Sequence, residues 1–232
     1  MVTWDDDASA GGWIADRLGQ FGPRVEGTVP RGYAAYACVP HPGDDVDETP
    51  DVAEDASAGS MVAQAEALAA ALAPSTGDQP IHLALWTGHA FLYDAGTDPR
   101  TTSGIGVFVA WDEDEPRPSE EEIARARAEA WDSLAQTLVE RPTAPMLLLP
   151  NREYHLWTGT LSDVGVFREH GQPPNLWWPH DRSWFVGTEI DAAATYVGGS
   201  EELVDALCAD RTAARALGAY RVTPSDLMVF DD

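Results

Sequence analysis

Residues 175–191 read Asn-Leu-Trp-Trp-Pro-His-Asp-Arg-Ser-Trp-Phe-Val-Gly-Thr-Glu-Ile-Asp and hold three tryptophans: Trp177, Trp178 and Trp184. Each buried tryptophan removes about 150 to 250 Å² from water, which contributes about 4 to 6 kcal/mol before conformational entropy is counted. Residues 184–190 alternate as a strand does. The stretch therefore predicts tryptophan-bearing strands that form a compact scaffold.

Patterns on both sides of this stretch indicate the fold class. Alternation and turn residues predict further strands at residues 25–29, 33–39, 81–86, 90–93, 105–111, 146–149, 153–157 and 164–168. Helices are predicted over 9–19, over 61–73, from Ser119, which fits a capping box with Glu122, and from Ser200. Strand clusters without regular βαβ spacing indicate an α+β fold, a mostly antiparallel sheet with three to four helices packed on it.

Length and composition predict one domain over residues 1–232. A chain of this size buries roughly 70% of the surface that its unfolded form exposes, so its core requires no disulfide or metal. Residues 44–60 are rich in acids, Pro, Ala and Ser without apolar periodicity, which predicts a mobile acidic loop. Residues 81–111 are expected to form an antiparallel meander.

The acidic charge is the strongest compositional feature. The chain has 39 Asp and Glu residues against 14 basic residues, all of them Arg, and a formal net charge of −25. A field of this sign repels nucleic-acid phosphates and anionic lipids, and it speeds encounter with a cationic partner. We therefore expect a cationic protein partner and neither nucleic-acid nor membrane binding. A GC-rich genome or adaptation to high salt would explain the same composition without a functional cause.

Cysteine usage and the N-terminus point to the cytoplasm. Cys38 and Cys208 match no zinc, haem or redox spacing, which predicts two free buried thiols, with a disulfide as the alternative. The first residues are acidic where a signal peptide is basic, and no apolar run approaches the roughly 18 residues of a membrane span. No cofactor or metal is expected, because the histidines lack the spacing of metal ligands.

Two interpretations of the tryptophan-rich stretch stay open. In the first, the three rings pack in the core and Asp181 pairs with Arg182. In the second, the rings form the aromatic wall of a pocket, with His180, Asp181 and Arg182 at its mouth. The first predicts a structural role for the stretch, and the second a binding role.

Glu189 and Asp191 form a candidate pair of catalytic carboxylates. In the predicted strand they share a face, with Cα atoms about 6 to 7 Å apart. They are close enough to share a proton or a metal if a third group such as His155 or His180 converges on them. Solvated or structural carboxylates are the alternative, because paired acids arise readily in a chain this acidic.

Several motifs resemble a known family. They are residues 29–36, 41–42 (His-Pro), 85–88, 150–154, 176–184 (Leu-Trp-Trp-Pro-His-Asp-Arg-Ser-Trp), 188–191 (Thr-Glu-Ile-Asp) and 196–200 (Tyr-Val-Gly-Gly-Ser). Together they resemble a family of actinobacterial proteins with no assigned activity, over nearly the whole chain outside the acidic loop. The resemblance implies the cytoplasm of a high-GC bacterium, which agrees with the missing lysines, and it implies no mechanism.

The function expected from these features is binding without catalysis. An acidic face would meet a cationic protein, as toxin-neutralising immunity proteins do by analogy of class. The candidate binding residues are Trp177, Trp178, Asp181, Arg182, Arg152 and Tyr154.

The alternative function is a hydrolase that uses Glu189 or Asp191 together with His180 and Arg182. Convergence of the two carboxylates with His155 and Arg152 in one concave pocket would favour the enzyme, and scatter over a flat face would favour the binder.

Overall fold

The structure is a computed structural model that describes residues 2–42, 53–111, 117–209 and 217–230, with side chains from residue 61 onward in the second range. The predicted acidic loop at 44–60 lies outside the described residues as far as residue 52, and the chain is helical from Ala53. The chain folds into two compact units, one formed by Met1–Trp86 with Ala144–Asp232 and the other by Thr87–Thr143.

Ten strands and four α-helices are formed within the described ranges. The strands are β1 (Ala35–Pro40), β2 (Ile81–Trp86), β3 (Leu92–Tyr93), β4 (Val139–Glu140), β5 (Leu147–Leu149), β6 (Arg152–Gly159), β7 (Leu176–Pro179), β8 (Phe185–Thr188), β9 (Ala194–Gly199) and β10 (Tyr220–Val222). The helices are α1 (Ala53–Thr76), α2 (Pro99–Thr102), α3 (Glu120–Leu134) and α4 (Glu201–Cys208).

An eight-stranded sheet organises the larger unit. Its order is β10-β1-β9-β8-β7-β2-β6-β5, and its neighbours pair antiparallel. The predicted α+β class with a mostly antiparallel sheet is confirmed. The predicted meander is wrong, since β2 pairs with β6 and β7, and β3 pairs in parallel with β4 in the smaller unit. Pairing between strands that are far apart in the sequence leaves no local signal, so the sequence pattern could not predict the partners of β2.

Helices α1 and α4 cover one face of the sheet. Val204 of α4 packs with Ala35 and Ala37 of β1. Gln64 of α1 donates to the carbonyl oxygen of Pro40 at 2.6 Å. The indole N–H of Trp184 donates to Thr76 Oγ1 at 3.1 Å, near the end of α1. We call this side the helix face.

The N-terminal segment, residues 8–33, covers the opposite face, which we call the N-terminal face. Its buried Ile14, Leu18, Val25 and Val29 join Trp178 in one core.

Two predicted elements of this segment are wrong. Residues 9–19 form the 3-10 turns Ser9–Gly11 and Ala15–Arg17 instead of an α-helix, and two consecutive glycines explain the interruption, because glycine disfavours helix. Residues 25–29 contain the 3-10 turn Val25–Gly27 instead of a strand, and the amide of Val25 donates to Asp226.

Two other predicted strands do not form. Residues 105–111 have no regular structure, and residues 164–168 lie in and beside the 3-10 turns Leu161–Gly165 and Arg168–His170. Val164 and Phe167 are buried all the same. Short apolar runs fit a buried turn as well as a strand, so the pattern could not separate them.

The smaller unit contains the best-predicted helix. Ser119 and Glu122 form the predicted capping box, in which the Ser119 amide donates to Glu122 Oε2 at 2.8 Å. The helix ends at Leu134, before the predicted end at Arg141, and none of its residues is buried. Of the predicted apolar stripe, only Leu138 is buried, and it follows the end of the helix.

Both cysteines are free, as predicted, with Cys38 buried and Cys208 half-buried. Within the described ranges, no helix combines the length and apolar character that crossing a bilayer requires.

Substitution Thr76→Val is expected to lower the free energy of unfolding by about 1 to 3 kcal/mol, because it leaves the buried indole N–H of Trp184 without an acceptor. Valine keeps the volume of threonine, so packing changes little. Urea denaturation measures the change, and Thr101→Val, at an exposed position, is the control. Equal stabilities of Thr76→Val and the wild type would contradict the assignment.

Candidate functional site

The adjacent tryptophans of β7 lie on opposite faces of the sheet. Trp177 meets Trp184 edge-to-face at 5.4 Å, on the helix face. Trp178 stacks on Phe185 at 5.6 Å, on the N-terminal face. Trp177 is 1% exposed and Trp178 and Trp184 are 0% exposed. These rings form the core, as the first interpretation predicts, and a partner cannot reach them.

The loop between β7 and β8 presents His180, Asp181 and Arg182 to solvent. The Asp181 amide donates to Gln79 Oε1 at 2.9 Å, and Asp181 Oδ1 accepts from the Ser183 amide at 2.9 Å. Burial raises the pKa of Asp181, but the hydrogen bonds from Ser183 and Gln79 outweigh burial and leave that pKa lowered. The predicted pairing of Asp181 with Arg182 is not formed.

A chain of hydrogen bonds runs from this loop across the N-terminal face. His180 Nδ1 lies 3.2 Å from His82 Nε2, and His82 Nδ1 lies 3.0 Å from Thr158 Oγ1. Thr158 donates its hydroxyl hydrogen to Asp5 Oδ2 at 2.9 Å. Its oxygen must therefore accept from His82, so His82 Nε2 accepts from His180 Nδ1. When both rings are neutral, this order places the free lone pair of exposed His180 on Nε2, where a general base requires it.

The strand register explains why these side chains meet. His82 of β2 pairs directly with Thr158 of β6 and with Trp178 of β7, which places the three side chains on the same face. No motif in the sequence singles out His82, Thr158 or Asp5. Only the pairing of β2 with β6 and β7 brings them together, and no spacing in the sequence reveals it.

Burial lowers the pKa of His82 below the ordinary histidine value of about 6.5, and the neighbouring His180 and Arg182 act in the same direction against the opposing charge of Asp5. The unfolded chain then binds the proton first as the pH falls. His82 therefore contributes stability that is present above about pH 6.5 and is lost progressively as the pH falls through its folded-state pKa. We expect an NMR titration midpoint for the His82 ring below about 6.5, and His82→Gln should flatten the stability profile in this window. A midpoint above the ordinary value would contradict this sign.

A second cluster lies at the other end of the same strands. Arg152 Nε donates to Glu189 Oε1 at 3.0 Å, and Arg152 Nη2 lies 3.4 Å from Asp191 Oδ2. The Arg152 guanidinium also lies 5.1 Å from the centre of the Phe21 ring. Burial, and next the charge of Glu189, raise the pKa of the buried Tyr154 hydroxyl. Arg152 thus forms ion pairs with both carboxylates of the predicted pair.

His155 does not join this cluster. It alternates with Tyr154 along β6, so its side chain lies on the opposite face, where its ring meets Trp4 at 5.6 Å. The predicted convergence therefore holds for Arg152, Glu189 and Asp191 only.

The four candidate catalytic residues divide between the two clusters. His180 and Arg182 occupy the turn of the β7–β8 hairpin, whereas Glu189 and Asp191 follow the far end of β8. Four residues of strand separate the two ends by roughly 13 Å. In the described parts of the chain, no three His, Cys, Asp or Glu side chains gather as a metal-ligand set would.

The chemistry of the two clusters rests on their own contacts, because no family model, curated protein or solved structure matches the chain. The resemblance to an actinobacterial family therefore remains a prediction.

Proposed function

We propose that the chain is a non-catalytic binding module for a cationic protein. The first support is that many of the arginines already form ion pairs with neighbouring carboxylates of the same chain. Ion pairs with Asp or Glu are formed by Arg100, Arg117, Arg141, Arg152, Arg168 and Arg221. These arginines are neutralised locally, and the carboxylates without such a partner account for the net charge of −25.

Hydrogen bonds keep exposed carboxylates ionised. A side-chain and backbone interaction with Ser9 lowers the pKa of Asp7, and the Thr223 amide lowers that of Asp226. The Ser119 hydroxyl and amide lower the pKa of Glu122 in the same way. These groups stay charged at mildly acidic pH, so the negative field persists and steers a cationic protein toward the surface.

The core explains which candidate residues remain available to a partner. Trp177 and Trp178 are buried and hold the strands, so their proposed role is to support the exposed loop that contains Asp181 and Arg182. Neutralisation of a basic toxin by an immunity protein would use a surface of this kind.

Affinity purification from the native cell lysate tests the proposal. A tagged chain should capture a basic protein at about 50 mM salt and lose it at about 500 mM salt, because the Debye length falls from about 14 Å to about 4 Å. The double variant Asp6→Asn with Asp16→Asn, which removes two exposed charges, should slow association of the purified pair without altering its dissociation. Capture of an acidic protein, or of the same protein equally at both salt concentrations, would contradict the proposal.

The Asp5–Thr158–His82–His180 chain favours a second candidate, a hydrolase with His180 as general base and Arg182 beside it. Activity on a panel of activated esters should then fall about 100-fold in His82→Gln, since the chain that orients His180 is broken. His170→Gln is the matched control. No turnover by the wild type, or equal losses in both variants, would remove this candidate.

A further inference from the structure

Two arginines contact one indole ring on the N-terminal face. The guanidinium carbon of Arg182 lies 5.0 Å from the centre of the Trp13 ring, and that of Arg17 lies 5.5 Å from it. Over the described ranges, neither guanidinium has a carboxylate within ion-pair distance, in contrast to the six paired arginines. Two unpaired like charges repel each other, and an anion bound near both would relieve that repulsion.

Three buried donors near these arginines lack an acceptor. The Tyr33 hydroxyl, Trp13 Nε1 and Trp178 Nε1 have no hydrogen-bond partner among the described residues. Trp178 is fully buried and meets Trp13 edge-to-face at 6.2 Å. An indole N–H can only donate, and buried donors are nearly always satisfied in folded proteins. The oxygens of an anion are acceptors of the kind that these donors can bind.

The Tyr33 hydroxyl lies within the electrostatic influence of both Arg17 and Arg182. Burial raises the pKa of Tyr33, while Arg17 and Arg182 act on it in the opposite direction. Because burial prevails, Tyr33 keeps its proton and remains a hydrogen-bond donor at neutral pH.

The loop holds Arg182 in a fixed place. Its backbone is left-handed, with φ of 60°, and its amide donates to the Pro179 carbonyl oxygen at 2.9 Å. A non-glycine residue adopts this conformation at a cost, which the surrounding loop contacts must offset. The loop backbone at Arg182 is therefore preset, so ligand binding does not have to order it.

We propose that Arg17, Arg182, Trp13 and Tyr33 form a binding site for a small phosphate-bearing ligand. The planar fork of each guanidinium matches a pair of phosphate oxygens, and a dianion offsets two unpaired arginines. The ligand is small, because a polyanion would extend from the two cations into the negative field of the rest of the surface. This inference goes beyond the proposed protein–protein function and requires neither a protein partner nor turnover.

Isothermal titration with inorganic phosphate and with a simple sugar phosphate tests the site, and acetate serves as the control anion. Saturable binding of one or both phosphates is expected, and tighter binding of the sugar phosphate would identify a monoester as the ligand. Arg17→Gln and Arg182→Gln should each weaken binding at least tenfold, and Tyr33→Phe several-fold. Arg221→Gln, at an exposed arginine paired with Glu201 and Asp205, is the matched control and should bind as the wild type does.

Two outcomes would overturn the site. One is the absence of saturation by either phosphate up to about 10 mM, a concentration that already allows very weak affinities. The other is an equal loss of affinity in Arg182→Gln and Arg221→Gln, which would show a general charge effect. Circular dichroism of each variant identifies a loss that arises from unfolding, and Arg182→Lys, which keeps the charge without the fork, then supplies the comparison.

Discussion

Substitution Trp178→Ala is expected to lower the free energy of unfolding by about 3 to 5 kcal/mol, the largest effect that we expect of any single substitution. The ring is 0% exposed. It stacks on Phe185, meets Trp13 edge-to-face and lies beside His82. Its removal leaves a large cavity in the core of the N-terminal face, and sheet residues on both sides of β7 cannot collapse into it without disturbing the strand pairing.

Equilibrium denaturation in urea measures this loss. Trp111→Ala is the matched control, because that ring is 43% exposed, and it should cost about 1 kcal/mol or less. A surface anchor would behave differently, since Trp178→Ala would then leave stability intact and reduce only partner binding. A stable Trp178→Ala variant would therefore contradict the core assignment.

The second large effect is expected from Arg152→Met, which should lower the free energy of unfolding by about 2 to 4 kcal/mol. The side chains of Arg152 and Glu189 are only 19% and 9% exposed. Methionine keeps the packing against Phe21 but leaves the Glu189 carboxylate buried without its cation. An uncompensated buried charge costs far more than the pair itself contributes.

A comparison of pairs isolates this cause. Arg100→Met breaks an ion pair with Asp132 whose side chains are 49% and 73% exposed, so it should cost about 0 to 1 kcal/mol. The double variant Arg152→Met with Glu189→Gln should recover part of the loss, because no buried charge remains. Equal effects of Arg152→Met and Arg100→Met would show that burial of Glu189 does not govern the result.

Local signals account for what the sequence predicted of the fold. The capping box at Ser119, the N-cap at Ser200 and the strand over 81–86 each depend on residues within a few positions of one another. The N-terminal segment shows the limit of such signals. Its apolar residues match a helix period, but Gly11 and Gly12 interrupt the helix, and these residues pack on the sheet from 3-10 turns.

The candidate site, too, could be predicted only where its residues are close together in the sequence. Parity within one strand placed Glu189 and Asp191 together, and the structure brings both to Arg152. Sequence reasoning combined them with His180 because it lacked the hairpin register, which sets the two groups at opposite ends. The neighbours of His82 are 76 and 98 residues away in sequence, at Thr158 and His180, so only tertiary structure reveals them.

All eight strands of the large sheet come from outside residues 87–143. The chain therefore leaves the sheet after β2, forms the separate smaller unit, and then returns to the larger unit to add β5 to β10. Deletion of residues 87–143, with a short glycine-rich linker in their place, should preserve the strand pairing of the eight-stranded sheet. Such an arrangement lets one part of the molecule diversify while the other keeps its architecture.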